Sequence, residues 1–187
     1  MYLKNKEISI LGAGLVGSLL SIYFKQQGAK VSVFEKRSDI RLVQDIAGRS
    51  INLALSDRGI KALKTVGLHQ EIMHISMPMY KRIIHFNNGN TTEQYYGKEK
   101  QAIYSVSRRG LNSQLIDIAE SKGVNFIFNK ACNYVDVNNT QLNFTNNTSL
   151  NSDFIFGADG AGSIVRKTLS KFSNEINVQE HFINHGY

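Results

Sequence analysis

The chain has 187 residues, 42% of them hydrophobic and 20% charged, with 15 Gly, one Pro and one Cys. That is one domain's worth of residues; it is too apolar to stay disordered, and no apolar run approaches the ~20 residues that a membrane helix needs. The formal net charge of +7 is scattered in pairs (Lys36-Arg37, Lys81-Arg82, Arg108-Arg109) with no basic run, so the composition argues for no nucleic-acid surface and suits a phosphate-bearing small molecule equally well.

Met1 to Lys6 is polar and short, without the apolar stretch and cleavage site of a signal peptide. A single Cys points to a reducing compartment, and the expected location is cytoplasmic. Residues 7–11 read as a short buried strand, followed by Gly12-Ala13-Gly14-Leu15-Val16-Gly17. Ser18 to Gln27 reads as a helix with Leu19, Leu20, Tyr23 and Phe24 on its apolar face, stopped by Gly28. Lys30 to Glu35 is a second strand, ending in an acid. The right-handed crossover rule makes these two strands parallel.

Residues 36–50 are polar and irregular, and 51–55 form a short apolar stretch. Ser56 is a candidate cap for a helix over 57–66, a further helical turn covers 69–74, and Pro78 is expected to close that segment. Strands are expected at 80–86, 91–96 and 102–106, with Asn87-Asn88-Gly89-Asn90 as a hairpin turn. The clearest helix is 107–122, with Leu111, Leu115, Ile118 and Ala119 on one face and Gly123 as its stop. Strands at 124–128, 131–137, 141–145 and 153–158 follow, separated by Asn-rich turns, and a helix over 163–171 closes the pattern.

Gly12-x-Gly14-x-x-Gly17 leaves a predicted strand and opens a predicted helix within a βαβ unit. Glu35 stands at the end of the second strand, 18 residues after Gly17, near the ~20 expected of a dinucleotide site. In such a site Gly12 permits the tight turn, Gly14 lets the backbone approach a pyrophosphate and Gly17 allows close helix–strand packing. The helix N-terminus offers free N–H groups to the phosphates, and Glu35 can accept from the ribose hydroxyls. A second stretch, Asp153 to Ser163 followed by Arg166, runs a hydrophobic strand into Asp159-Gly160 and a Gly-Ser turn. Alone it reads equally as a β-turn with Ser163 capping a helix.

Together the two motifs resemble the flavoprotein aromatic hydroxylases, in which the Asp-Gly segment lies near both FAD and the nicotinamide. Gly12 to Leu20, Arg49 to Gly59, Met77 to Tyr80, Arg82 to His85, Tyr96-Gly97, Ala102 to Asn112 and His185-Gly186-Tyr187 are similar to the kynurenine 3-monooxygenase family. The resemblance implies an α/β fold: a Rossmann-like FAD-binding domain with a βαβ start and an inserted, mostly antiparallel, substrate-side sheet. It covers 1–187, with 77–106 contributing part of that sheet. It implies an enzyme with FAD as prosthetic group and NADPH as co-substrate, which hydroxylates the ring of L-kynurenine with O2 through a flavin C4a-hydroperoxide. The alternatives are the same chemistry on another small aromatic carboxylate, or a non-catalytic nucleotide-binding fragment.

By the same resemblance Arg82 pairs with the substrate carboxylate and Tyr96 hydrogen-bonds it. A hairpin could bring both to one face. Val16, Glu35, Lys36, Arg37, Ala54 and Arg108 contact FAD, as do Gly12, Gly14, Gly17 and Asp159. Cys132 falls near a further FAD-lining position, though as a residue type it reads first as a small buried apolar side chain. No side chain is expected to be catalytic in its own right, because the flavin carries the chemistry. The five His residues show no ligand spacing, so no metal is expected. The family's later Gly-Asp FAD motif has no counterpart after Gly160. The chain is therefore expected to be an N-terminal part of the family's fold, and poorly active alone.

Overall fold

The computed structural model describes residues 2–42, 52–98, 101–173 and 175–181. The stretch Arg49 to Ile51 and the terminal His185-Gly186-Tyr187, both part of the sequence resemblance, lie outside these residues. Strand β1 (Glu7–Leu11), helix α1 (Leu15–Gln26) and strand β2 (Lys30–Phe34) form the expected βαβ unit, with β1 and β2 parallel from Glu7↔Lys30 to Leu11↔Phe34. Strand β8 (Asn125–Ile127) extends this sheet beside β2, and strand β12 (Phe154–Gly157) extends it beside β1, both parallel. The order is therefore β12-β1-β2-β8. Ile8, Ser9, Ile10 and Leu11 are all buried, as expected of a central strand covered on both faces.

One face is covered by α1 and by helix α4 (Arg108–Ser121). The core there includes Ile8, Ile10, Ile22, Val31, Val33, Leu111 and Leu115. The opposite face carries an antiparallel meander, β9 (Cys132–Asp136), β10 (Gln141–Phe144) and β11 (Ser149–Asn151). Leu11 and Phe34 pack there against Val135, Leu142 and Phe144, with Ile164 and Val165 of helix α5 (Ile164–Phe172) alongside. Strand β11 was not expected from the sequence, because Ser149-Leu150-Asn151 is exposed and too short to show a period.

The inserted strands do not form one sheet. Strands β3 (Asn52–Leu55), β7 (Ile103–Ser107) and β4 (Met77–Met79) pair antiparallel in the order β3-β7-β4. Strands β5 (Lys81–His85) and β6 (Thr91–Tyr95) form a separate hairpin. Its turn is the expected one: Gly89 has φ +82° and Phe86 N–H donates to the Asn90 carbonyl at 2.9 Å. Helices α2 (Asp57–Thr65) and α3 (His69–His74) lie between β3 and β4.

Three local expectations are corrected. Helix α1 starts at Leu15 rather than Ser18, and it buries Gly17, Ser18, Ser21, Ile22 and Phe24, leaving Tyr23 exposed. Close approach to the sheet selects the small residues, which an apolar count overlooks. Pro78 lies within β4 rather than closing the preceding segment; β4 is an edge strand, where a missing N–H is tolerated. Ser56 sits at the cap position of α2 but makes no side-chain cap bond.

A four-charge clamp fastens the segment after β2 to α4. Arg41 Nε donates to both oxygens of Asp39 (2.9 and 3.0 Å), and its Nη1 donates to Asp117 Oδ1 (2.7 Å) and Glu120 Oε2 (2.6 Å). These side-chain bonds from Arg41 hold the Asp39 carboxyl below its ordinary value of 3.8. A depressed folded-state pKa contributes stability that is complete above the unfolded value and is lost as pH falls below about 4. The urea midpoint is accordingly expected to fall below about pH 4. Asp39→Asn should lower the midpoint at pH 7 and flatten that acid decline. An acid profile unchanged by the substitution would show that the clamp does not carry it.

Candidate dinucleotide site

The loop between β1 and α1 lies at the carboxyl end of the parallel sheet, where open α/β sheets bind ligands. Gly12 turns with φ +101°, and its N–H donates to the Phe34 carbonyl at 2.8 Å. A Cβ on Gly12 would strike the carbonyl of Ala158 and come within 2.9 Å of Asp159 Cα. A Cβ on Gly17 would strike the Gly12 carbonyl and reach 3.3 Å from Ala158 Cβ. A Cβ on Gly14, by contrast, would meet nothing within 4 Å. Gly12 and Gly17 are thus required by packing within the protein, whereas Gly14 borders open space.

Because β12 pairs beside β1, the Asp-Gly segment arrives against this loop; Ala158 N–H donates to the Leu11 carbonyl at 2.8 Å. The tertiary structure therefore brings the two sequence motifs together. Asp159 Oδ2 accepts from Ile164 N–H at 2.6 Å, helping to cap α5, while its buried Oδ1 has no partner among the described residues. Ser163 accepts from Arg166 N–H at 3.0 Å as the capping residue. Gly160 turns with φ +79°, and Arg166 folds back to donate to the carbonyls of Gly160 (3.4 Å) and Ala161.

Glu35 follows β2 and reaches the loop. Its Oε2 accepts from Ala13 N–H and its Oε1 from Arg37 N–H, each at 3.0 Å. The carboxylate is therefore aimed at the loop with lone pairs to spare. Lys36 and Arg37 beyond it are exposed. The termini of the helices differ in a way that matters for phosphates. Ser107 caps α4 by accepting from Gly110 N–H at 3.2 Å, and Ser163 caps α5. The N-cap of α1 is Gly14, with no side-chain cap and no acid in the first turn, so its N–H groups are open to an anion. Val16, 68% exposed, stands on that first turn.

Arg108 opens α4, one helical turn before Asn112 and on the same side. Asn112 has no role of its own in the sequence reading, where it only ends the Ala102 to Asn112 stretch; its Nδ2 donates to the Ala13 carbonyl at 2.9 Å. That bond brings the N-terminal end of α4 to the glycine loop. Ala54, on β3, is exposed and paired with Ser105 of β7, the strand that leads into Arg108. Cys132 is half-buried at the start of β9, in the second core, with its thiol donating to the Tyr134 carbonyl at 3.4 Å. Burial pushes the Cys132 thiol up, with a smaller push from the Asp159 carboxylate, so it stays neutral at physiological pH.

Arg82 and Tyr96 belong to the separate hairpin. The register pairs Arg82 with Gln94, and alternation carries Tyr96, two residues further, onto the same face. Tyr96 N–H donates to the Tyr80 carbonyl at 3.0 Å, which extends the pairing. Diagonal neighbours of this kind lie about 7–8 Å apart, close enough for one small anion to touch both. Arg82 Nε donates to Gln94 Oε1 at 2.7 Å, and its Nη2 also contacts that oxygen. Gln94 therefore orients the guanidinium, a role visible only once the register is known. Among the described residues β5 and β6 pair only with each other, so the hairpin is not hydrogen-bonded into the sheet that carries the glycine loop.

A parallel sheet with an uncapped Gly-x-Gly-x-x-Gly helix, an acid at the end of the second strand and an Asp-Gly loop against the first glycine defines a dinucleotide-binding domain of the flavoprotein type. The chain belongs to the FAD binding domain family, which matches residues 5–184, and FAD is the cofactor for which this domain is built. It is similar to a kynurenine 3-monooxygenase of Christiangramia forsetii, 45% identical over 98% of this chain and 42% of that protein. It is also similar to one from Caenorhabditis elegans, 39% identical over 96% of this chain and 44% of that protein. Among solved structures, the tetrameric form of 2-methyl-3-hydroxypyridine-5-carboxylic acid oxygenase superposes with a TM-score of 0.74. It is 23% identical, with coverage of 89% of this chain and 42% of that one, a likeness of fold. The chain thus spans about two-fifths of the length of the curated relatives it matches. No helix among the described residues is long and apolar enough to cross a membrane.

Proposed function

We propose that the chain is the FAD-holding part of a monooxygenase that hydroxylates the aromatic ring of L-kynurenine, with NADPH as reductant and O2 as oxygen donor. The observation that carries this reading is the 45% identity to a kynurenine 3-monooxygenase across 98% of this chain. FAD, when bound, supplies the electron transfer and oxygen chemistry that no amino-acid side chain offers. The residues fit it: α1 begins with open N–H groups, Gly14 borders free space, and Asp159 Oδ1 is a buried acceptor in want of a donor.

The N–H groups at the start of α1 would take the pyrophosphate. Glu35 would accept from the ribose hydroxyls, and Asp159 from a further hydroxyl or N–H. Val16, Lys36, Arg37, Ala54, Arg108 and Cys132 would line the remainder of the cofactor site. Residues 77–106 would serve as the substrate-side part of a domain covering 1–187. There the Arg82 fork would bind the amino-acid carboxylate in two places while the Tyr96 hydroxyl donates to it. Both residues act by orientation, since holding the carboxylate fixes where the ring can lie.

The purified chain, incubated with FAD and desalted, should retain the yellow flavin. The flavin fluorescence of the loaded chain should then respond to L-kynurenine and not to its analogue lacking the carboxylate. A colourless chain overturns the cofactor reading; a flavin-loaded chain blind to kynurenine overturns the substrate reading.

A further inference from the structure

Asn112 is 7% exposed, and it is the polar member of a buried α4 face otherwise made of Leu111, Leu115, Ile116 and Ala119. Its Nδ2 donates to the Ala13 carbonyl at 2.9 Å, while its Oδ1 is buried without a partner among the described residues. A half-satisfied buried amide carries a desolvation cost that leucine, with the same branched outline but no polar atom, would not. What offsets it lies on the other side of the bond. The Ala13 carbonyl sits just before α1, and among the described residues it accepts only from Asn112 Nδ2 and, at 3.3 Å, from Ser18 Oγ. The Ala13 N–H is held in turn by Glu35 Oε2 at 3.0 Å.

The Ala13 carbonyl and the Gly14 N–H belong to one planar peptide unit and point in opposite directions. Whatever holds the carbonyl therefore aims the N–H. Asn112 draws the carbonyl toward buried α4, which turns the Gly14 N–H away from it, and among the described residues that N–H donates to no protein acceptor. We propose that Asn112 is a positioning residue for the cofactor: by gripping the Ala13 carbonyl it presents the Gly14 N–H to the pyrophosphate. This rests on the FAD reading for the ligand, but the grip itself is a property of the ligand-free chain.

The test uses Asn112→Leu and Asn112→Asp in the full 187-residue chain. In Asn112→Leu the melting temperature should be unchanged or raised, while the dissociation constants of FAD and ADP rise at least ~10-fold together. Amide hydrogen exchange at Ala13, whose N–H is held by Glu35 Oε2 in the same loop, should quicken in the ligand-free variant, with the β1 and β2 amides unaltered. Asn112→Asp should match this loss at neutral pH, where a carboxylate cannot donate. It should regain affinity relative to the parent as the pH is lowered and the introduced carboxyl protonates. Affinities within twofold of the parent with unchanged exchange at Ala13 overturn the proposal. So does a loss of affinity that simply tracks a loss of melting temperature in both variants. If the leucine variant does not fold, the pH dependence of the aspartate variant decides. If the parent binds neither FAD nor ADP, the cofactor reading fails, and exchange at Ala13 alone judges the grip.

Discussion

Gly17→Ala is expected to destabilise the chain by about 3 kcal/mol, the upper part of the range for forcing a methyl into closed packing. It should also abolish FAD retention. The added Cβ would land on the Gly12 carbonyl and press on Ala158 Cβ, 3.3 Å away, so α1, β1 and the Asp-Gly loop would all have to separate. The partner atom is backbone within a tight turn and cannot swing aside as a flexible side chain would. Gly14→Ala is the informative contrast. Its φ of −77° is ordinary for alanine and its Cβ would meet nothing within 4 Å, so the melting temperature should hold. Its FAD affinity should nevertheless fall at least ~10-fold, because the methyl occupies the space through which the backbone meets the pyrophosphate. Thermal melts and flavin titrations of the two variants check this. A Gly17→Ala chain that melts like the parent would refute the packing argument, and a Gly14→Ala chain that binds FAD normally would move the phosphates elsewhere.

The second large effect is expected at Arg82. On the proposed reading, Arg82→Ala removes a two-point, charge-assisted contact worth about 2–3 kcal/mol, so kynurenine should bind roughly 30- to 150-fold more weakly. Flavin content should not change, because the hairpin is not hydrogen-bonded into the sheet that bears the cofactor loop. Arg82→Lys keeps the charge but loses the fork, and should fall between the two. Calorimetric titration of kynurenine into flavin-loaded chain, with the flavin-to-protein ratio measured on the same samples, reads both quantities. Equal loss of substrate and flavin would mean that Arg82 supports the fold rather than the substrate. Gln94, whose amide oxygen holds the guanidinium, predicts a weaker echo of the same effect.

Much of this was legible in the chain itself. The βαβ unit, the hairpin turn at Asn87 to Asn90, the Ser163 cap and the glycine stops at Gly28 and Gly123 are local devices. Each is written in a few neighbouring residues whose backbone preferences or hydrogen bonds do not depend on distant partners. The spacing of Gly12, Gly14, Gly17 and Glu35 was enough to name a dinucleotide, because that chemistry is itself performed by one short loop and the end of the next strand. The start of α1 was misread for the opposite reason. The residues Gly17, Ser18 and Ser21 earn their burial only from the closeness of the sheet, and no local count of apolar residues registers that.

The sequence by itself therefore determined most of the elements, the cofactor loop and the family resemblance, but not the short exposed β11. The tertiary structure alone decided which of them meet. The order β12-β1-β2-β8 sets the Asp-Gly loop against Gly12, and the packing of α4 on α1 carries Asn112 to the Ala13 carbonyl. The register of β5 with β6 puts Arg82, Gln94 and Tyr96 on one face. Periodicity and turn chemistry are properties of neighbours along the chain, whereas sheet order and helix packing are settled by which apolar surfaces bury each other across it.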